Sequence, residues 1–114
     1  MSTNVTVSYV SAHVLDASAG VPAAGVDVRL AEGTGTVIGQ SVTNADGRVA
    51  DLGPDRLDPG VYEVTFGSGD YFAGRGVACF HPSVSVLFRV AADQAHYHIP
   101  LLLSPYSYTT YRGS

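Results

Sequence analysis

The sequence predicts an all-β sandwich, and three observations carry that expectation. Segments rich in Val, Tyr, Thr and Phe recur along the chain, and clusters of Gly, Pro, Asn and Asp separate them. No stretch of fifteen residues shows the apolar repeat of an amphipathic helix. The length, 114 residues, suits one domain spanning 1–114.

The elements follow in order. Val5 to Leu15 reads as the first strand, and Ser18 to Pro22 as a loop. From Gly25 to Leu30, Val26, Val28 and Leu30 alternate with Asp27 and Arg29, the pattern of a half-buried strand. A turn at Gly33-Thr34-Gly35 leads to a third strand, Val37 to Thr43. Asn44-Ala45-Asp46-Gly47 reads as a hairpin turn, because these residues tolerate the positive φ of tight turns. A short fourth strand, Arg48 to Leu52, would follow it. After a loop closing at Asp58-Pro59-Gly60 comes the fifth, Val61 to Phe66.

Residues 67–76 contain four glycines and read either as a loop or as one helical turn. Three more strands are expected at Val84 to Val90, His96 to Leu103 and Tyr106 to Tyr111, about eight in all. Pro100 falls inside the seventh and cannot donate to a ladder. It marks a bulge, or its missing N–H points where no partner waits. The alternating apolar face of Tyr97, Ile99, Leu101 and Leu103 supports the strand.

Composition excludes several functions. Charged residues make up 14% and hydrophobic ones 46%, too apolar for disorder and sparse in charge for a monomer's surface. The net charge is −4, lysine is absent, and no basic stripe exists, which argues against nucleic acid and anionic membranes as partners. Cys79 is the only cysteine and lies in an apolar run, so it reads as a small buried hydrophobe in a chain without internal disulfides. The first residues lack the basic and apolar regions of a secretory signal, and a cytoplasmic location is expected. Serine-hydrolase elbows, phosphate loops, dinucleotide fingerprints and zinc-protease motifs are all missing from the sequence.

Four histidines and the tail remain. His96 and His98 are two apart and would share one strand face. Such a pair serves as part of a metal site, as half of an acid–base pair, or as polar surface, and zinc would want a third ligand. His13, Arg48, Asp16, Asp46 and His81 each have an ordinary structural reading when taken singly. The tail, Tyr106 to Ser114, stays polar and aromatic to its last residue, which suits an edge strand or a tail docked on a subunit or ligand.

Taken together the residues resemble a known family. Ser11-Ala12-His13-Val14-Leu15-Asp16 with Gly20-Val21-Pro22-Ala23-Ala24-Gly25-Val26, then Thr43-Asn44-Ala45-Asp46-Gly47-Arg48, are similar to two motifs of transthyretin-like proteins. His96-Tyr97-His98-Ile99-Pro100-Leu101-Leu102-Leu103-Ser104-Pro105, running into Tyr111-Arg112-Gly113-Ser114, resembles the C-terminal signature of their hydroxyisourate hydrolase branch. The resemblance implies two four-stranded sheets, a short helix after the fifth strand, and a homotetramer built as a dimer of dimers. It implies sites at the dimer–dimer interface and no cofactor or metal. By matched positions, His13, Arg48 and His98 are catalytic and Tyr111 and Ser114 line the site, with Arg112 and His96 as further substrate-binding candidates. The hormone-carrying branch holds lysine, glutamate and threonine at the three catalytic positions, which favours the enzyme here.

The implied reaction adds water to a ring carbonyl of a planar oxidised purine. Histidine suits it, since an ordinary imidazole is largely neutral at cytoplasmic pH. His98 is assigned as base and His13 as the group that orients water or substrate, although the sequence allows their exchange. Arg48 would steady the oxyanion. The rival readings are a small-ligand carrier on the same sandwich and a structural sandwich with incidental histidines.

Overall fold

Two twisted sheets form the protein, a computed structural model describing residues 8–113. The first contains β1 (Val10–Asp16), β2 (Val21–Pro22), β5 (Arg48–Val49), β8 (Tyr97–Ser104) and β9 (Ser107–Thr110). Its order is β2-β1-β8-β9, and β5 pairs with β1 on the same side as β2. The second contains β3 (Asp27–Glu32), β4 (Val37–Val42), β6 (Gly60–Phe66) and β7 (Val84–Val90), ordered β4-β3-β6-β7. The helix α1 (Ser68–Gly74) follows β6.

Period-two alternation builds the core. Val10, Ala12 and Val14 of β1 and Tyr97, Ile99, Leu101 and Leu103 of β8 point inward. They meet Val28, Leu30, Val64, Phe66, Val84 and Val90 of the other sheet. Phe66 and Leu101 are fully buried, and such side chains stabilise by roughly 1.5–3 kcal/mol each. The same alternation turns Ser11, His13 and His98 to the opposite, outer face.

Each of the eight expected strands is present, with four differences, among them a ninth strand that makes the first sheet five-stranded and not four-stranded. The expected loop at Ser18 to Pro22 ends in the two-residue β2, which pairs Leu15 with Pro22 and Asp16 with Val21, making nine strands among the described residues. The first strand begins at Val10, and the expectation from Val5 to Val7 lies outside the described residues. The fourth strand is only Arg48–Val49. The turn before it is no hairpin, because β4 pairs with β3 in one sheet and β5 with β1 in the other. The local chemistry is still that of a tight turn: Asn44 Oδ1 accepts from the Asp46 and Arg48 amides, and Gly47 has φ +75°. The chain crosses here between sheets, anchored by buried Thr43, whose hydroxyl donates to the Ala23 carbonyl and accepts from the Val26 amide.

The glycine-rich segment is a true helix of seven residues. Phe72 plugs one end of the core and Tyr71 donates its hydroxyl hydrogen bond to Asp16 Oδ2 at 2.8 Å. Gly69 permits the helix to settle on its neighbour, since a Cβ there would sit 2.4 Å from the Pro82 carbonyl oxygen. Tertiary contact therefore overrides poor helix propensity.

Candidate functional site

The outer face of the first sheet gathers the polar residues. β1 pairs with β5 so that His13 stands opposite Arg48, and with β8 so that Ser11 stands opposite His98 and His13 opposite Pro100. One row across the sheet therefore runs Arg48, His13, Pro100. The adjoining row holds Ser11 and His98, and then Gly113 through an antiparallel bridge.

Pro100 explains how the tail reaches this face. The Gly113 amide donates to the His98 carbonyl at 2.9 Å, in the same register that pairs Leu101 with Thr110. Even-numbered β8 residues thus direct their N–H toward the tail, and Pro100 has none to offer. The β1–β8 pairing runs through Pro100 without a register shift, so no bulge accommodates it. Instead β9 stops at Thr110, whose hydroxyl donates to the Pro100 carbonyl at 2.8 Å, and pairing resumes only at Gly113. Gly113 then lies against the His98 ring, where an added Cβ would approach Cδ2 to 2.6 Å.

Each imidazole is held by one nitrogen. His13 Nε2 lies 3.0 Å from the Asp46 carbonyl oxygen, which can only accept, so Nε2 carries hydrogen and neutral His13 keeps its lone pair on Nδ1. His98 Nδ1 lies 2.8 Å from Ser11 Oγ. With Nδ1 toward Ser11 and Cδ2 against Gly113, the distal Nε2 points away from the sheet. Burial pulls the His98 imidazole below its ordinary value of 6.5, and the charge of Arg48, then the neighbouring His13 and His96, add to this. The ring is therefore neutral and able to take a proton near neutral pH.

Arg48 is exposed and joins no salt bridge among the described residues. It shares an open depression of about 270 Å3 with Ser11, His96 and His98. His96 lies just before β8, not within it, and its Nε2 is 2.9 Å from the same Ser11 Oγ. A depression of about 310 Å3 adjoins the first through Ser11 and His96, whereas others of about 600 and 550 Å3 contain no histidine, the latter being lined by Tyr111 and Arg112 among others.

The remaining candidates divide. Tyr111 lies between the last β9 pair and the Gly113 bridge, opposite Pro100 in register, is exposed, and lines the 550 Å3 depression with Arg112. Arg112 does not join the cluster. Alternation turns it with Ile99 to the inner side, where its guanidinium lies 5.1 Å from the Tyr97 ring centre and donates to Gln94 Oε1. Ser114 lies outside the described residues. His81 is packed between the rings of Phe80 and Tyr108, and half-buried Cys79 directs its thiol to the His81 carbonyl. No group of three or more His, Cys, Asp or Glu side chains among the described residues is placed to hold a metal. Ser11 is a site residue that its type alone does not announce. Its place two residues before His13, hence on the same strand face, was the available signal.

A family model described as the HIUase/Transthyretin family matches residues 10–113. The chain is 42% identical to 5-hydroxyisourate hydrolase of Pseudomonas aeruginosa, over 90% of this chain and 88% of that protein. It is also 42% identical to the uric acid degradation bifunctional protein TTL of Arabidopsis thaliana over 92% of its own length, spanning 37% of that longer protein. Among solved structures it is similar to the Klebsiella pneumoniae 5-hydroxyisourate hydrolase, with TM-score 0.85 and 37% identity, covering 94% of both chains. Sea bream transthyretin in complex with thyroxine also gives TM-score 0.85, at 33% identity, covering 92% of this chain and 94% of that one. With its two sheets, its short helix and a match across nearly all of its length, the chain belongs to the HIUase/Transthyretin family.

Proposed function

We propose that this chain hydrolyses 5-hydroxyisourate, opening the six-membered ring to give 2-oxo-4-hydroxy-4-carboxy-5-ureidoimidazoline in urate breakdown. The observation that carries the reading is the convergence of His13, Arg48 and His98 from three strands onto one face. His98 Nε2 takes a proton from water as the water attacks the ring carbonyl, and returns it to the ring nitrogen that leaves as the carbonyl–nitrogen bond breaks. Arg48, always charged and unpaired with any described carboxylate, faces the oxyanion that develops. His13, fixed by Asp46 with Nδ1 bare, orients the water or substrate. Tyr111 and Ser114, by the family motif, would bind the substrate beside these groups. No metal or cofactor takes part in this scheme.

A carrier role is the second reading, since a thyroxine-bound transthyretin is an equally good structural match. The hydrolase is preferred because two imidazoles and a guanidinium serve water addition, whereas a carrier needs only an apolar channel.

The site is read as completed by a second copy of the chain within a dimer of dimers. A 270 Å3 open depression is small for enclosing a bicyclic ligand. The surface also leaves Leu87, Phe80, Tyr106 and Tyr111 exposed, along with the unpaired edges of β7 and β9. Action in the cytoplasm belongs to the same reading, supported by the single cysteine, which has no partner in its own chain. The described residues contain no helix long and apolar enough to cross a membrane.

The test is to oxidise urate in situ and follow ring opening with and without the protein. The reading requires decay faster than the spontaneous reaction and a single product enantiomer. Tight aromatic-ligand binding with an unaltered decay rate would favour the carrier.

A further inference from the structure

Ser11 opens the first family motif, yet the reaction scheme gives it no part. Its hydroxyl lies 2.8 Å from His98 Nδ1 and 2.9 Å from His96 Nε2, so one oxygen bridges two imidazoles. A hydroxyl has one hydrogen to give. It therefore donates to one ring and accepts from the other, and the direction of that chain decides which nitrogen of His98 is bare. When Ser11 donates to His96, it accepts from His98 Nδ1–H, and Nε2 carries the lone pair. When the chain runs the other way, His98 holds hydrogen on Nε2 and cannot accept a proton there.

The first direction is the one that leaves Nε2 able to accept a proton, as the hydrolytic reading requires, and the surroundings fix the ring orientation that it needs. Gly113 occupies the Cδ2 edge of the His98 ring, so a flip that exchanges Cδ2 and Nδ1 would turn a polar nitrogen toward the tail and away from Ser11. The ring is thereby kept with Nδ1 on Ser11 and Nε2 outward. His96 is exposed and lies outside β8, free to offer Nε2 as an acceptor.

We propose that Ser11 is a positioning residue whose hydroxyl, terminated on His96, selects the His98 tautomer with hydrogen on Nδ1 and a bare Nε2. This rests on reading the His13, Arg48 and His98 face as a hydrolytic site. It assigns His96 a role behind His98, not on the substrate. The arrangement has the logic of a catalytic triad, in which a third group behind the imidazole fixes its tautomer.

The test combines imidazole 15N NMR with kinetics on the full chain. In the unsubstituted protein the His98 spectrum should report a protonated Nδ1 and a bare Nε2. Ser11→Ala should abolish that preference and lower kcat for hydroxyisourate by about tenfold or more, with KM nearly unchanged, since base function and not binding is affected. Ser11→Thr keeps the hydroxyl and should restore both readouts. If Ser11→Ala does not fold, His96→Ala, at an exposed position, must produce the same loss of tautomer preference. Hydrogen on Nε2 in the unsubstituted protein, an unchanged tautomer in Ser11→Ala, or no recovery in Ser11→Thr would overturn the proposal. A protein that leaves hydroxyisourate decay untouched while showing the expected tautomers would instead sink the hydrolase reading alone.

Discussion

Gly113 and His98 are in van der Waals contact through a bridge between the tail and β8, so close that a methyl group on Gly113 would come within 2.6 Å of Cδ2 and 3.1 Å of Pro100 Cγ. The near-terminal glycine is thus a requirement of the site. Gly113→Ala must push the tail off β8 or tilt the imidazole. Activity should fall while the thermal midpoint moves little, because the core is untouched. Parallel melting and hydroxyisourate assays check this, and a fully active variant would show that the tail contact is dispensable.

His98 should titrate low. Burial and the charge of Arg48 both disfavour its protonated form, so an NMR titration should give a midpoint below 6.5. Removing the guanidinium in Arg48→Gln relieves repulsion of the imidazolium and should raise that midpoint. A fall, or no change, would mean that Arg48 does not act on His98 through its charge.

Asp16 ties the first strand to the helix. Burial alone would raise its carboxyl, but hydrogen bonds from the Ser18 hydroxyl, the Ala19 amide, Tyr71 and the Ser18 amide outweigh this and hold it below its ordinary 3.8. A depressed carboxyl contributes stability that is present above its unfolded value and lost as pH falls through the folded one. Tyr71 behaves in the opposite sense. Burial and Asp16 push its hydroxyl up to about 12, so its contribution is complete below 10 and lost as pH rises toward 12. Asp16→Ala strands four donor groups and should cost about 2–3 kcal/mol in urea unfolding. It should also flatten the acid limb of the stability profile.

Pro100→Ala restores an N–H facing the tail. The backbone could then pair at Tyr111, joining β9 to the bridge at Gly113 in one continuous ladder. Hydrogen exchange should show residues 111–113 better protected than in the unsubstituted protein. Activity should fall if the interrupted pairing is what sets Tyr111 against the site.

Much of this was legible in the sequence, and the misses have physical causes. Val84 to Val90 is recovered to the residue, because both ends are marked and alternation is clear. β2, with two residues, is too short to carry any periodicity. Asn44 to Gly47 was misleading because turn chemistry is local, and it is identical whether the chain returns to its own sheet or crosses to the other. The helix was ambiguous because Gly69 and Gly74 lower propensity, while the contacts that stabilise it, Phe72 in the core and Tyr71 on Asp16, are distant in sequence. His13 and His98 were found through family motifs, and their convergence through a parallel pairing could not be read from spacing. Arg112 was grouped with its neighbours, yet the simple alternation of an extended tail turns it to the inner side, over Tyr97.

The most direct measurement follows hydroxyisourate, made in situ from urate, in the presence of the unsubstituted protein, His98→Ala and Arg48→Ala, reading both rate and product chirality. The unsubstituted protein should accelerate ring opening and give one enantiomer, and Arg48→Ala should lose about 10²–10³ of that acceleration. His98→Ala should fall to near the spontaneous rate. Full activity in both folded variants would contradict the account.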